Sequence, residues 1–100
     1  MEQLNKVELK GIVGRVSTQE IAEFKVVRFT LATNYAYKDK EGNGVVETQW
    51  HNVVWLDADK EISKADNVHV CGRIRYQKYV DIEGKERYST EILANKVELI

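Results

Sequence analysis

The stretch ETQWHNVVWLDADKEISKADNVHVCGRIRYQKYV, residues 47–80, decides the fold, because two predicted strands flank a segment of different character. Residues 68–80 largely alternate between apolar and polar side chains, a pattern typical of strands, and residues 47–56 are predicted to form the strand before them. Residues 57–67 lack this alternation, and their early aspartates suit the first turn of a helix, where carboxylates cap free N–H groups. The stretch therefore predicts a strand, a short helix or helical turn, and a second strand.

Three more segments on either side have the strand pattern, namely residues 7–13, 26–33 and 87–99. Connections are predicted where Gly, Asp, Asn and other polar residues cluster, at 17–20, 38–44 and 81–84. Gly72 predicts a bulge in the fourth strand, and a change of alternation between Ile92 and Val97 predicts a bulge in the fifth.

Five strands in this order, with a helical piece between the third and the fourth, predict an all-β, five-stranded OB-fold barrel. An SH3-like barrel is the rival, and the helical piece favours the OB fold. A chain of 100 residues can bury one modest core, so residues 1–100 are expected to form a single domain.

The composition argues against several other classes of protein. Cys71 is the single cysteine and cannot form an internal disulfide, which fits a reducing cytoplasm. The sequence has no signal-peptide pattern and no apolar run near the roughly 20 residues of a membrane helix. A cytoplasmic protein without membrane contact is therefore expected.

Catalytic and metal chemistry are not expected either. The chain has two histidines and one cysteine, and no carboxylate is suitably placed to complete a metal site with them. There is no phosphate-binding loop, nucleophile elbow or partnered carboxylate pair. The sequence therefore predicts no cofactor, no metal and no enzymatic activity.

Alternation along the strands separates candidate core residues from candidate surface residues. Trp50 and Trp55 fall on opposite faces of the third strand, so one can fill the barrel while the other faces solvent. The predicted core face of the fourth strand holds Val68, Val70, Ile74 and Tyr76. The opposite face holds Arg73, Arg75, Gln77 and Tyr79, which combines a ring that can stack on bases with guanidinium groups that meet phosphates.

The net charge of −1 neither supports nor excludes a nucleic-acid partner, because binding depends on where the cations lie. Five basic residues fall between positions 73 and 87, so a nearly neutral chain can still present a basic groove. Tyr35 and Tyr37, beside Lys38 and Lys40, form a second cluster of aromatic and basic side chains.

Five segments, in order, resemble the bacterial single-stranded-DNA-binding proteins. They are NKVELKGIVGR (5–15), FTLATNYAYKDKEG (29–42), ETQWHNVVW (47–55), VHVCGRIRYQKY (68–79) and ERYSTEILANKVELI (86–100). The resemblance covers most of the chain. It implies an OB barrel that assembles as a homotetramer and binds single-stranded DNA with little sequence preference.

The resemblance also implies roles for individual residues. Tyr37, Trp50 and Tyr79 stand at base-stacking positions. Leu56 takes the place of a further stacking aromatic, and a one-residue slip would put Trp55 there instead. Lys40, Arg75 and Lys78 match positions that contact the DNA backbone, and Arg73 joins them from the arginine row. His51 matches a histidine at a subunit interface.

The function expected from these residues is the coating of single-stranded DNA in replication, recombination and repair. The chain ends at Ile100, directly after the last predicted strand, so it is expected to lack the acidic arm with which relatives recruit replication and repair enzymes. One alternative is a tailless primosomal adaptor with the same fold, often dimeric, acting at replication restart. Another is an OB-fold module that binds protein and not DNA.

Overall fold

A computed structural model describes residues 2–100 and shows five long strands that form one closed barrel. The strands are β1 (Val7–Ile21), β2 (Phe24–Lys38), β3 (Gly44–Trp55), β4 (Asn67–Val80) and β5 (Glu86–Leu99). Their order around the barrel is β1-β2-β3-β5-β4, and β4 pairs with β1 to close it. Four ladders are antiparallel, whereas β3 and β5 are parallel over three residue pairs. The predicted all-β, five-stranded architecture is confirmed.

Alternate side chains of every strand point into the barrel and form its core, as the period of two in a strand requires. The largest fully buried side chains are Leu31, Val13, Val53, Val68, Val70 and Val97. Phe29 and Trp55 supply the aromatic rings of this cluster. The core therefore takes residues from all five strands.

One irregularity in the pairing of β4 with β5 lets these long strands bend around the core. Between β4 and β5 the register passes from Cys71↔Lys96 to Gly72↔Ala94, so β5 has one extra residue at Asn95. A Cβ at Gly72 would collide with the Leu93 carbonyl oxygen, which explains the glycine. Both predicted bulges are confirmed, and they are the two sides of one irregularity.

The helix predicted over residues 57–67 is wrong, and residues 2–100 contain no helix. The backbone of this connection bonds to the barrel and not to itself: the Ala65 N–H donates to the Val13 carbonyl (2.8 Å) and the Val13 N–H donates to the Asp66 carbonyl (2.9 Å). Ile62 is buried against the core. The connection covers one end of the barrel without the repeated internal hydrogen bonds of a helix.

The loop predicted at residues 17–20 is also wrong. These residues continue β1, which pairs with β2 as far as Ile21↔Phe24, and the chain turns at residues 22–23. Side chains 17–20 are exposed. These residues are polar because they lie in a two-stranded ribbon that is exposed to solvent. The sequence pattern does not distinguish such a ribbon from a loop.

Two hairpins extend from the barrel, and we call them the β2–β3 arm (residues 34–48) and the β4–β5 arm (residues 75–91). The turns at their tips have the same construction, in the segments YKDKEGN (37–43) and YVDIEGK (79–85). In each, one aspartate carboxylate oxygen accepts two backbone N–H groups, at 2.9 Å from Asp39 and at 2.9 and 3.0 Å from Asp81. Gly42 and Gly84 adopt φ angles of 82° and 80°, which favour glycine. The predicted connections at 38–44 and 81–84 are confirmed.

A search of residues 2–100 for a helix long and apolar enough to cross a lipid bilayer finds none.

Candidate nucleic-acid interface

The two arms carry all five tyrosines of the chain. These side chains are Tyr35, Tyr37, Tyr76, Tyr79 and Tyr88, and they are between 40% and 74% exposed. Tyr76 was predicted to be core, and that prediction is wrong, because the sheet at this point has left the barrel. The rings of Tyr35 and Tyr37 stack with centroids 6.1 Å apart. Such a concentration of open aromatic surface is typical of a binding site.

Trp50 presents its indole ring on the outer face of β3 and is 61% exposed. One side of the ring rests over Gly14, where a Cβ would lie 2.7 Å from Trp50 Cζ3 and 2.5 Å from Thr30 Oγ1. Gly14 and Arg15 form a bulge in β1, and the Arg15 N–H donates to Thr30 Oγ1 at 2.9 Å. The absence of a side chain at Gly14 thus leaves room for this part of the indole, and we call this position the Gly14 seat.

Trp55 does not belong to this surface, and its predicted DNA-binding role is corrected. It is 2% exposed and packs in the barrel core. The ladder between β2 and β3 runs without a break from Lys38↔Gly44 to Val27↔Trp55, so no slip turns Trp55 outward. The prediction that the two tryptophans occupy opposite faces is confirmed.

Leu56 is exposed directly after β3, next to Ile21 and Phe24, which are also exposed. Six residues separate it from Trp50, which corresponds to about 20 Å at the rise of a strand. It lies toward the β1–β2 hairpin, at the opposite end of β3 from the arm. Leu56 is therefore available to solvent but apart from the tyrosine-bearing arms.

The register shows which predicted residues share a face with Trp50. Trp50 and Val54 have the same parity on β3, Val54 lies opposite Leu93, and Leu93 lies opposite Arg73. Tyr79 has the same parity as Arg73 along β4, where the ladder with β5 is regular. Trp50, Arg73 and Tyr79 therefore lie on one continuous outer face of the sheet.

Arg75 lies on this outer face as well, and its Nε donates to Glu91 Oε1 at 2.9 Å. Glu91 also lines a cleft beside Trp50, which connects the arginine to the indole. Arg73 and Lys40 are exposed, and no carboxylate of residues 2–100 lies within ion-pair distance of either. These cations are free to meet an anionic ligand.

Tyr37 and Lys78 lie on the reverse side of their arms. Tyr37 is five residues from Ala32, the ladder partner of Trp50, and an odd number of residues reverses the face. Lys78 alternates with Tyr79 and forms an ion pair with Glu86 at 3.0 Å. The predicted site residues on the arms therefore occupy two sides of the sheet, with Tyr79 and Arg75 on one side and Tyr37 and Lys78 on the other.

Two arginines that the sequence analysis missed line a groove on the outer face of the barrel. Arg15 and Arg28 surround it together with Asn52 and Glu91. The alternation of β2 already placed Arg28 on the polar face, so that signal was readable. Arg15 reaches the groove through the bulge in β1, which the sequence did not reveal.

His51 is partly buried on the inner side of β3, and its Nε2 lies 2.8 Å from Thr33 Oγ1. Elsewhere, Glu8, His69 and Cys71 form a group of possible metal ligands. The expectation that no carboxylate is suitably placed beside the histidines and cysteine is therefore wrong. Pairing of β1 with β4, which the sequence did not specify, brings Glu8 there.

Comparison with known proteins adds an independent line of information. Residues 4–100 match the single-strand binding protein family. A single-stranded DNA-binding protein of Xanthomonas campestris is 36% identical over 104 residues, covering 97% of this chain and 60% of the relative. Single-stranded DNA-binding protein 1 of Xylella fastidiosa is 33% identical, covering 100% of this chain and 79% of the relative. The chain thus spans about 60% of the length of the first curated relatives that it matches.

Solved structures agree with this match. A Plasmodium falciparum SSB in complex with ssDNA superposes with a TM-score of 0.83 at 31% identity, covering 100% of this chain and 96% of that one. A small single-stranded DNA-binding protein from Streptomyces coelicolor has a TM-score of 0.74 at 24% identity, covering 100% and 96%, and supports the fold alone.

Proposed function

The chain belongs to the single-strand binding protein family, and from this membership we propose that it binds and coats single-stranded DNA with little sequence preference. The observation that carries the proposal is the outer face on which the open ring of Trp50 lies with Tyr79 and two arginines. We assign this activity to residues 1–100 as a single OB-fold domain. Roles in replication, recombination and repair follow from the same assignment.

The binding step needs no bond chemistry. Trp50 offers its exposed ring to a base, while Gly14 leaves room for the ring's Cζ3 edge. Every base has a flat face, so stacking tolerates any sequence. Arg73 and Arg75 lie on the same outer face as Trp50 and Tyr79 and neutralise phosphates, and Lys40 does the same at the tip of the β2–β3 arm.

A bound strand would have to follow both sides of the arms. Val45, the ladder partner of Tyr37, is five residues from Trp50, which corresponds to about 17 Å along the strand. Because Tyr37 and Lys78 face the reverse side, contact with all predicted residues requires the DNA to wrap over the edge of an arm. Leu56 extends the path toward the other end of β3.

Self-association is the second part of the proposal. We assign a homotetramer, with a dimer as the competing state, and place His51 at a subunit interface. The His51 ring is fixed by Thr33 and only partly buried within one chain, which suits a contact completed by another subunit. Light scattering of wild type and His51→Tyr distinguishes the states, because loss of assembly in the variant is expected.

The test of DNA binding uses the contrast between the two tryptophans. Trp50 is exposed and Trp55 is buried, so quenching of emission by poly-dT should come from Trp50. We expect Trp50→Ala to abolish most of the quenching and to weaken binding by about 1–3 kcal/mol, a range established on single-stranded-DNA-binding proteins themselves. The remaining Trp55 emission reports whether the barrel is folded.

Trp50→Phe is the matched control, since it keeps a ring on the Gly14 seat and should retain part of the affinity. Double-stranded DNA should bind far more weakly than poly-dT. Wild-type affinity for poly-dT in a folded Trp50→Ala protein would contradict the proposed interface and favour a module that binds protein.

A further inference from the structure

A cluster of three different metal-ligating side chains lies on the outside of the barrel, away from the arms. Glu8 of β1 is the ladder partner of Cys71 on β4, and His69 precedes Cys71 by two residues on the same face. One ligand atom from each residue lies within 4.8 Å of the other two. The closure of the barrel therefore assembles the group from two distant parts of the sequence.

The distances within the cluster match those around a single tetrahedral ion. Glu8 Oε1 lies 3.5 Å from His69 Nε2, and Cys71 Sγ lies 3.7 Å from the same nitrogen. A zinc ion with Zn–S near 2.3 Å and Zn–N and Zn–O near 2.1 Å separates its tetrahedral ligands by about 3.4 Å (N to O) and about 3.6 Å (S to N). These two separations lie within a few tenths of an ångström of the tetrahedral values, and the third, between Cys71 and Glu8, is no more than 4.8 Å.

Hydrogen bonding alone does not account for this convergence. A neutral imidazole nitrogen has either one hydrogen or one lone pair, so His69 Nε2 can serve only one of its two neighbours. The 3.5 Å separation from Glu8 is also long for a hydrogen bond. A cation placed between the three groups would contact all of them at once.

We propose that Glu8, His69 and Cys71 form a zinc-binding site with water in the fourth position. A thiolate, an imidazole and a carboxylate are the ligand types that zinc prefers, and the two anionic groups balance its charge. The cluster is reached directly from solvent, since Glu8 is exposed and the other two side chains are partly exposed. The nearby Lys96 is paired with Glu98 at 3.3 Å, which offsets its charge next to Cys71.

Occupation of the site would join β1 to β4, the ladder that closes the barrel. Metal bound only by the folded chain stabilises it by mass action, so the unfolding midpoint should rise with zinc concentration. This consequence does not depend on DNA binding.

Cobalt(II) is the probe, because a thiolate bound to cobalt gives a charge-transfer band that can be measured directly. Titration of untagged, reduced protein should show one cobalt per chain with that band, and zinc should displace it. Cys71→Ser should lose the band. Cys71→Ser, His69→Gln and Glu8→Gln should each reduce zinc affinity at least about 100-fold, because even residues that only support metal ligands contribute about 10–100-fold.

Glu20→Gln is the control, since Glu20 is an exposed carboxylate on β1 that lies outside the cluster. It should bind zinc as wild type does, and tryptophan emission should show that every variant is folded. Absence of the band in wild type, no rise of the unfolding midpoint with zinc, or an equal loss of affinity in Glu20→Gln would each overturn the proposal.

Discussion

At the scale of single residues, Gly14 determines how Trp50 is presented. The Cζ3 edge of the indole lies over a position that has no side chain, at a bulge where Thr30 accepts a backbone hydrogen bond from Arg15. Alternation predicted that one of the two tryptophans faces solvent, since this needs only the period of a strand, and the family resemblance indicated Trp50. The seat depends on the register between β1 and β2, which no local pattern in the sequence specifies.

Gly14→Ala should disturb this seat. The new methyl group would lie 2.7 Å from the indole, so the ring must move. We expect weaker binding to poly-dT, with a loss no greater than the about 1–3 kcal/mol of one base stack. Fluorescence titration measures the affinity, and the emission maximum of Trp50 reports the displacement.

Gly44→Ala is the matched control, because a Cβ there meets nothing within 4 Å. It should leave both affinity and emission near their wild-type values. An unchanged affinity in Gly14→Ala, together with an unchanged emission maximum, would show that the seat does not position the ring.

Trp55 shows where residue-level prediction ends. The family resemblance left open a one-residue slip that would turn this ring outward. Twelve regular pairs between β2 and β3 exclude the slip and place Trp55 in the core. Burial of a large ring is a property of the assembled sheet, so the sequence alone could not choose between Trp55 and Leu56.

At the scale of elements, the strands and the turns of the two arms were largely predictable, whereas the connections expected at 17–20 and 57–67 were not. The fourth strand, for example, has an apolar face with Val68, Val70 and Ile74, and this pattern can be read without a structure. Residues 57–67 have the aspartates of a helix start, but their backbone groups bond to Val13 and Lys25 of the barrel. Tertiary hydrogen bonds replaced the helix that local propensity favoured.

Acid should reduce the stability that the Asp81 carboxylate gives to the turn of the β4–β5 arm. The Arg87 guanidinium, and then the Lys85 N–H, hold the pKa of Asp81 below the ordinary value of 3.8. Because the pKa of Asp81 is lower in the folded state, its carboxylate stabilises the protein above pH 3.8. This contribution is lost as the pH falls through the folded-state pKa. Wild type should therefore lose stability relative to Asp81→Asn between about pH 5 and about pH 2.5.

Urea unfolding of both proteins at the two pH values measures this difference, and the other carboxylates cancel because both chains contain them. The same comparison in an Arg87→Gln background is the control. The pH dependence should be smaller there, since the main cause of the pKa shift is gone. An equal pH dependence in both backgrounds would rule out the role of Arg87.

At the scale of the whole molecule, the net charge of −1 conceals an uneven distribution of cations. If Lys40, Arg73, Arg75 and Lys78 each neutralise one phosphate, the logarithm of the binding constant should fall with the logarithm of salt concentration with a slope of about −3. Arg73→Gln should make this slope less negative by about 0.7. Titrations with poly-dT at several salt concentrations give both slopes.

Lys64→Gln removes a cation from the β3–β4 connection, outside both arms, and should leave the slope unchanged. An equal effect of the two substitutions would indicate a response to overall charge and not to contacts on the arms.

The parallel seam between β3 and β5 contains three residue pairs, whereas β4 and β5 are joined by thirteen. The barrel is thus two leaves, one made of β1, β2 and β3 and the other of β4 and β5, which meet along this short seam and along the β1–β4 ladder. Each leaf carries one arm. The strand pairs that join the two leaves are the three of this seam and the six of the β1–β4 ladder, so a change in the spacing between the arms would require rearrangement at these junctions and not within either hairpin.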